Sequence, residues 1–208
     1  MAKEKNLELE RLVFFSDAVV AIAITLLALN LRIDKAPGYI HFRFSDISNS
    51  WRQFASFLLS FILITIFWLV HHKFFHFIVR IDRTLAWYNM LWLLFIVMLP
   101  FSATLVSADF DGHVALFVYS LNIFFITLFQ NQIWDHVAVR PDYLILGYDP
   151  DEINDNRVYC NIAMFNALFA MGISFISPLI SFILLSLRPL MKFLYDKLWG
   201  KYKKRKSS

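Results

Sequence analysis

The most constraining feature of this chain is an apolar stretch near its N-terminus, residues 11–31, that also contains polar side chains. About 20 apolar residues suffice for one helical span, so the stretch is long enough to cross a bilayer. It nevertheless includes Arg11, Ser16, Asp17 and Thr25. Polar groups in hydrocarbon cost free energy, so they face a protein interior or water. The stretch is therefore predicted to be a transmembrane helix that takes part in the function of a membrane protein, and not one that only anchors the chain in the bilayer.

The chain as a whole has the composition of a polytopic membrane protein. Of its 208 residues, 59% are hydrophobic and 23 are phenylalanine, and the mean hydropathy is +0.56. The predicted fold is therefore all-α, with a six-helix transmembrane domain over residues 13–196. A cytoplasmic N-terminus (1–12) precedes this domain and a basic cytoplasmic tail (197–208) follows it. The predicted spans are 13–31, 53–71, 84–106, 114–134, 158–175 and 178–196.

The distribution of basic residues predicts the orientation of the chain in the membrane. Lys and Arg are concentrated at the N-terminus, between spans two and three, between spans four and five, and in the tail at 201–206. The loop 107–113 contains neither. Positive residues are retained on the cytoplasmic side, so both termini and a loop at 135–157 are predicted to be cytoplasmic. The tail is expected to contact anionic membrane lipid, and no nucleic-acid partner is expected.

The first predicted helix has two different faces when its residues are placed at 100° per position. Residues Ala18, Ile22, Thr25, Leu26 and Leu29 share one stripe. Apolar residues at this spacing usually pack against lipid or another helix. If several copies of the helix surrounded an axis, however, the stripe would form apolar rings and one ring of hydroxyls. Apolar rings can gate a pore by dewetting, and hydroxyl oxygens can replace part of a cation's hydration shell.

A carboxylate inside a span needs a partner, and Asp17 is interpreted as part of a structural network. The partner is either Arg11 or a group on another helix. The second span ends in a run of histidines that begins at His71. One imidazole is expected to reach the end of the first helix that carries Ser16, and Asn89 on the third span is expected to join the same network.

The sequence predicts neither a metal site nor an enzyme. His72 and His76 are four residues apart and share a helix face, but no Cys or carboxylate accompanies them at ligand spacing. The chain has only five glycines and one cysteine, and it has no phosphate-binding loop, nucleophile elbow or His-Glu-x-x-His motif. The Thr-Val-Gly-Tyr-Gly filter of ordinary potassium channels is also missing.

Several motifs in the first half of the chain resemble those of the transmembrane protein 175 family. This family comprises endosomal and lysosomal potassium channels and their bacterial and archaeal relatives. The resemblance covers about the first 105 residues, and the second half agrees in span count and length. The matching motifs are Arg11, Phe15-Ser16-Asp17-Ala18-Val19, Ala21-Ile22-Ala23-Ile24-Thr25, Trp68-x-x-His71-His72, and Asn89 with the apolar run to Leu99-Pro100-Phe101.

The resemblance implies an architecture and a function. Prokaryotic members carry one six-helix unit per chain and assemble as homotetramers, whereas the animal proteins carry two units and dimerise. This chain contains the signature once, so it is similar to the prokaryotic type, and a prokaryotic inner membrane is expected. The first helices of the family line a central pore that has no re-entrant filter loop. The implied function is a potassium-permeable channel whose only small ligand is the permeant potassium ion, with no cofactor.

The resemblance also implies roles for individual residues. The position that matches Ile22 forms the apolar constriction, and Leu26 and Leu29 match further apolar pore positions. Thr25 matches the hydroxyl layer that is linked to potassium preference. The residues that match the buried network holding the first helix are Arg11, Ser16, Asp17, His71 and Asn89.

Two other functions remain compatible with the residues alone. A proton-coupled secondary transporter would use Asp17 and the histidines, and it would require saturable, pH-driven uptake of a substrate. A non-conducting membrane scaffold or lipid-binding protein would need none of these polar groups for ion passage. The two alternatives and the channel differ in the ion flux that purified protein supports in vesicles.

Overall fold

The structure is a computed structural model that describes residues 7–29, 31, 41 and 43–187. The predicted basic tail therefore lies outside the described residues. The described part contains seven α-helices and a short 3₁₀ turn at Pro141–Tyr143. The helices are α1 (Leu7–Leu29), α2 (Phe44–Asn49), α3 (Trp51–Phe77), α4 (Arg83–Ala108), α5 (His113–Ala138), α6 (Pro150–Ile173) and α7 (Pro178–Ser186).

Local capping signals set the start of several helices. The Asp82 carboxylate accepts a hydrogen bond of 2.7 Å from the Leu85 N–H and caps α4, which satisfies one of the free donors of the first turn. Asp149 caps α6 and Ser177 caps α7, and proline is the first residue of both helices. Proline suits this position because its missing N–H would have no intrahelical partner there.

Four of the helices are long and apolar enough to cross a membrane, namely α1, α3, α4 and α5. These agree with the first four predicted spans. Helix α6 has 24 residues, but its first turns are acidic and polar, and α7 is described for nine residues only. The multi-pass membrane class is therefore confirmed, while the count of six spans stays a prediction.

The predicted loop at 135–157 is largely helical in the structure. Helix α5 continues to Ala138 and α6 already begins at Pro150, before the fifth predicted span, 158–175. The reason is that hydropathy identifies the part of a helix that can lie in lipid, whereas the α6 helix begins at its capping signal. The loop prediction is wrong at both of its ends.

The helices pack in one bundle around a shared apolar core. Helix α4 contacts α1, α3 and α5, and α5 contacts α6 in turn. Large aromatic side chains fill the centre, among them the fully buried Phe67, Trp92 and Trp134. The Phe74 ring stacks on Trp134 with 4.3 Å between centroids. This packing places α1 at the edge of the bundle, with α3 and α4 behind it.

A short antiparallel bridge links the α3–α4 connection to the segment that follows α5. Ile78 pairs with Leu144, and the Val79 N–H donates to the Tyr143 carbonyl at 2.9 Å. The chain then turns at Gly147, whose φ of 79° lies in the left-handed region that glycine tolerates. The bridge joins residues that are far apart in sequence, and local patterning does not predict it.

Candidate functional site

One face of α1 is packed against the bundle. The buried residues of this helix recur every three or four positions, as expected for a single helical stripe. They pack against α3 and α4. The stripe consists of Leu9, Leu12, Ser16, Val20, Ala23 and Leu27.

The opposite face of α1 is uncovered in the single chain. Ile22 is 59% exposed, Leu26 38% and Leu29 72%, and Ala18 and Thr25 are also exposed. These are the five residues of the stripe derived from helical spacing. Only 28% of the most apolar window of α1 is buried, against 44–50% in the other three candidate spans. In a membrane protein this face must therefore meet lipid, another copy of the chain or a pore.

The Thr25 hydroxyl has a defined orientation on this face. Its Oγ1 donates a hydrogen bond of 2.8 Å to the Ile22 carbonyl. Since the hydroxyl proton is engaged with the backbone, the oxygen lone pairs are left for a ligand on the exposed side. The arrangement offers an acceptor, and not a donor, at the middle of an apolar stripe.

A buried chain of hydrogen bonds fixes the other face of α1 to α3 and α4. The Asn89 Nδ2 donates to Ser16 Oγ at 2.9 Å, and Ser16 Oγ donates to the Leu12 carbonyl at 2.8 Å. The His71 Nε2 lies 2.8 Å from Asn89 Oδ1, and it must donate because a carbonyl oxygen can only accept. The His71 ring stacks on Trp92 at 4.2 Å. Asn89 on α4 thus links α4 to α1 through Ser16 and to α3 through His71.

Asp17 is held separately from this chain. The Trp68 Nε1 donates a hydrogen bond of 2.8 Å to its Oδ1. Arg11 is exposed and makes no hydrogen bond or ion pair within the described residues. The structure thus brings Ser16, His71 and Asn89 together, while Asp17 is bonded separately to Trp68 on α3. The membership of Arg11 in the network stays a prediction.

Sequence reasoning did not identify Trp68 as the hydrogen-bond partner of Asp17. It belongs to the Trp68-x-x-His71 motif, so both side chains lie on one face of α3 three residues apart. That spacing places the indole one turn before the imidazole, on the side that α1 covers. The motif therefore contained the signal, but the identity of the partner required the packing of two helices.

A cavity of about 320 Å³ opens between α1 and α3 beside Asp17. His72 and His76 line it together with Asp17, so the two histidines do share one face as their spacing predicts. Within the described ranges, no three His, Cys, Asp or Glu side chains are grouped to hold a metal ion. The other lining residues are Leu9, Glu10, Val13, Phe14 and Phe75.

Replacing Trp68 with phenylalanine is expected to lower the thermal stability of the protein. The ring keeps most of its packing, but the half-buried Asp17 loses its indole donor. Hydrogen bonds to charged groups contribute about 1.5–3 kcal/mol, and partial exposure of Asp17 reduces this to about 1 kcal/mol. The apparent Tm in detergent should fall by roughly 3 °C. Trp87→Phe, at an exposed tryptophan, is the control, and equal shifts in both variants would contradict the assignment.

Comparison with known proteins places this site in a family. The sequence model described as "Endosomal/lysosomal potassium channel TMEM175" matches residues 11–100. That segment contains α1 from Arg11 onward, α2, α3 and the first two thirds of α4, including the exposed stripe and the Asn89 hydrogen bonds. The match therefore falls on the part of the chain that builds the candidate site.

Two curated bacterial relatives match across most of the chain. A potassium channel of Streptomyces collinus is 30% identical over 169 residues, which is 78% of this chain and 81% of the relative. A potassium channel of Chamaesiphon minutus is 29% identical over 182 residues, which is 84% of this chain and 88% of the relative.

A solved structure has the same fold. The crystal structure of a lysosomal potassium-selective channel TMEM175 homolog from Chamaesiphon minutus superposes with a TM-score of 0.80 and 26% identity, covering 92% of this chain and 100% of the homolog. The family model, the two relatives and the solved structure all identify potassium channels. The chain therefore belongs to the TMEM175 family.

Proposed function

We propose that this protein forms a potassium-permeable cation channel in which the exposed face of α1 lines the pore of a homotetramer. The observation that carries the proposal is the exposure of Ile22, Thr25 and Leu29 on a helix whose other face is packed. A face that one chain leaves uncovered is available to its symmetry copies around an axis. The two bacterial relatives, both potassium channels, support the same function.

In the proposed mechanism, hydrated ions approach an apolar constriction and lose part of their water there. Ile22, Leu26 and Leu29 form successive apolar collars, and Thr25 contributes a layer of oxygen acceptors next to the Ile22 collar. Apolar collars resist wetting, so the ion passes when the collar at Ile22 widens. No re-entrant filter loop takes part. One hydroxyl layer provides fewer oxygens than a carbonyl-lined filter, so the preference for potassium over sodium is modest.

In this proposal α1 is held in a fixed rotation about its own axis by the hydrogen bonds among Ser16, Asn89 and His71 and between Trp68 and Asp17, here called the supporting network. The Asn89 bond to Ser16 and the Trp68 bond to Asp17 attach α1 to α4 and α3. A helix attached on one side presents a constant face to the axis, which a ring of four identical collars requires. Both termini are proposed to be cytoplasmic, and the bacterial relatives favour a prokaryotic inner membrane.

Ion flux in liposomes tests the proposal against its rivals. Purified protein should dissipate a potassium gradient without any other substrate, and a sodium gradient more slowly. A proton-coupled transporter would instead need a pH gradient, saturate with substrate and lose activity in Asp17→Asn. A scaffold would give no flux. Absence of potassium flux from correctly folded protein would overturn the channel proposal.

Replacing Thr25 with valine is expected to lower the potassium-to-sodium permeability ratio. Valine keeps the shape of the side chain but removes the oxygen that faces the ion. One polar contact contributes about 1 kcal/mol, so the ratio should fall roughly fivefold. Reversal potentials in mixed salts measure the change.

Thr65→Val is the matched control for this experiment. Thr65 is partly exposed, and its Oγ1 donates a hydrogen bond of 2.8 Å to the Phe61 carbonyl within α3. It therefore shares the local geometry of Thr25 but lies on a different helix. An unchanged ratio in Thr25→Val, or the same decrease in Thr65→Val, would refute the role of Thr25 in selectivity.

A further inference from the structure

A cluster of four polar side chains joins the start of α4, the end of α5 and the 3₁₀ turn. We call it the His136 clasp, and its members are Asp82, His136, Arg140 and Tyr143. It lies next to the bridge between the α3–α4 connection and the segment after α5. The imidazole is 8% exposed, so it is largely shielded from water.

The hydrogen bonds of the clasp define the protonation state of His136. Its Nε2 lies 2.9 Å and 3.1 Å from the two carboxylate oxygens of Asp82. Its Nδ1 lies 2.7 Å from the Arg140 Nη1, which also donates to the His136 carbonyl at 2.9 Å. A guanidinium can only donate, so Nδ1 must be an acceptor without a proton. The imidazole in this geometry is therefore neutral, with its proton on Nε2.

Asp82 and Tyr143 keep their charge states over the pH range in which imidazoles titrate. Burial raises the pKa of Asp82, but hydrogen bonds from the Leu85 N–H, His136 and Tyr143 outweigh it and hold this pKa below its ordinary value. Burial, together with the hydrogen bond to Asp82, raises the pKa of Tyr143. Asp82 is thus ionised and Tyr143 neutral between about pH 5 and 8, where histidine changes charge.

Other charged and titratable groups surround the clasp without bonding to the imidazole. The Tyr88 ring on α4 meets the His136 ring edge-on at 5.9 Å. Arg80 lies 5.6 Å from the centre of the Tyr143 ring and forms an ion pair of 3.3 Å with Asp142. These contacts do not reach the imidazole nitrogens. Among the residues that the structure describes, the imidazole is therefore bonded to one anion, Asp82, and one cation, Arg140.

We infer that the His136 clasp is an acid-released switch. Protonation of His136 places a second N–H on Nδ1, directly opposite the Arg140 N–H at 2.7 Å. Two donors and two positive charges cannot share that contact, so the guanidinium leaves. The Nε2–H keeps its hydrogen bonds to the Asp82 carboxylate in both protonation states, because Nε2 is a donor in each. Acid therefore detaches the Arg140 side chain from the imidazole, while the bond between His136 and Asp82 keeps α4 and α5 joined.

The clasp is connected to α1 through α4. Asp82 caps this helix, and Asn89 lies about two turns further along it. Asn89 donates to Ser16 on α1. A change of charge at the clasp therefore occurs at the N-terminal end of α4, the helix that holds α1 through Asn89. The switch itself does not depend on the pore proposal, since its geometry lies within one chain.

Spin-label mobility next to Arg140 tests the inference without any measurement of ion flux. Val139 is exposed, and a nitroxide on Val139→Cys in a Cys160→Ala background, which removes the lone cysteine, reports on this segment. In reconstituted full-length protein, the immobilised component at about pH 8 should be lost at about pH 5.5. Size-exclusion chromatography at both pH values checks the fold.

Two variants separate the role of His136 from a general effect of acid. His136→Gln keeps an acceptor and a donor but gains no proton in this range, so its label should stay immobilised at both pH values. Arg140→Met removes the donor, so its label should be mobile at both. A pH-independent spectrum in the parent, the same acid response in His136→Gln, or an immobilised label in Arg140→Met at about pH 8 would each overturn the switch.

Discussion

Replacing Ile22 with asparagine is expected to raise potassium flux through reconstituted protein roughly tenfold, which corresponds to a barrier lowered by ~1.4 kcal/mol. In the proposed tetramer four Ile22 side chains form the narrowest apolar collar, and ions cross it only after water enters. Asparagine has a similar size but carries hydrogen-bonding groups, so it stabilises water in the constriction. Flux from potassium-loaded liposomes and single-channel conductance measure the effect.

Leu58→Asn is the matched control for this experiment. Leu58 on α3 is 56% exposed, close to the 59% of Ile22, and both are apolar residues within a candidate span. If the stripe of α1 faced lipid, the two substitutions would have the same effect on flux. Only a pore position should increase it. Equal flux in Ile22→Asn and the parent would place the constriction elsewhere and contradict the proposed pore face.

Replacing Asn89 with alanine is expected to lower stability more than any other single change in the supporting network. Asn89 is fully buried and bonds both His71 and Ser16. Its loss leaves the His71 Nε2–H without an acceptor, and an unsatisfied buried group costs about 1–3 kcal/mol. With the lost second bond and the small cavity, we expect about 3 kcal/mol, or a Tm lower by roughly 9 °C. Thermal unfolding in detergent measures it.

Two further variants test whether the effect of Asn89→Ala comes from its hydrogen bonds. Asn154→Ala removes an exposed asparagine from α6 and should leave the Tm almost unchanged. Ser16→Ala removes one partner of Asn89, so the double variant should lose less stability than the sum of the two single changes. Additive effects of Ser16→Ala and Asn89→Ala would show that the two side chains do not support each other.

The first helix is the element that sequence reasoning predicted in most detail. Its exposed stripe, which contains Ile22, Thr25 and Leu29, follows from helical spacing, and the structure leaves these residues uncovered. The motif around Ser16 and Asp17 predicted the family, which the bacterial relatives confirm. Such features are local, because the 3.6-residue period fixes which side chains share a face.

The polar beginning of α6 and the connection before it were not predicted correctly. Residues 150–157 were interpreted as a loop because they are too polar to lie in lipid. Their capping signal, Asp149 followed by Pro150, nevertheless starts a helix. The bridge between Ile78 and Leu144 and the short helix α2 also escaped prediction. A bridge between distant residues depends on how the helices are arranged, which hydropathy does not report.

The sequence by itself determined the membrane class, the family and the two faces of α1, because composition and helical period are properties of consecutive residues. Only the tertiary structure decided which polar groups meet. Asn89 bonds Ser16 across 73 positions, and Trp68 bonds Asp17 across 51. Those pairings, like the contact of His136 with Asp82, depend on the relative rotation and depth of packed helices. Many side chains contribute to that rotation together, so no single motif specifies it.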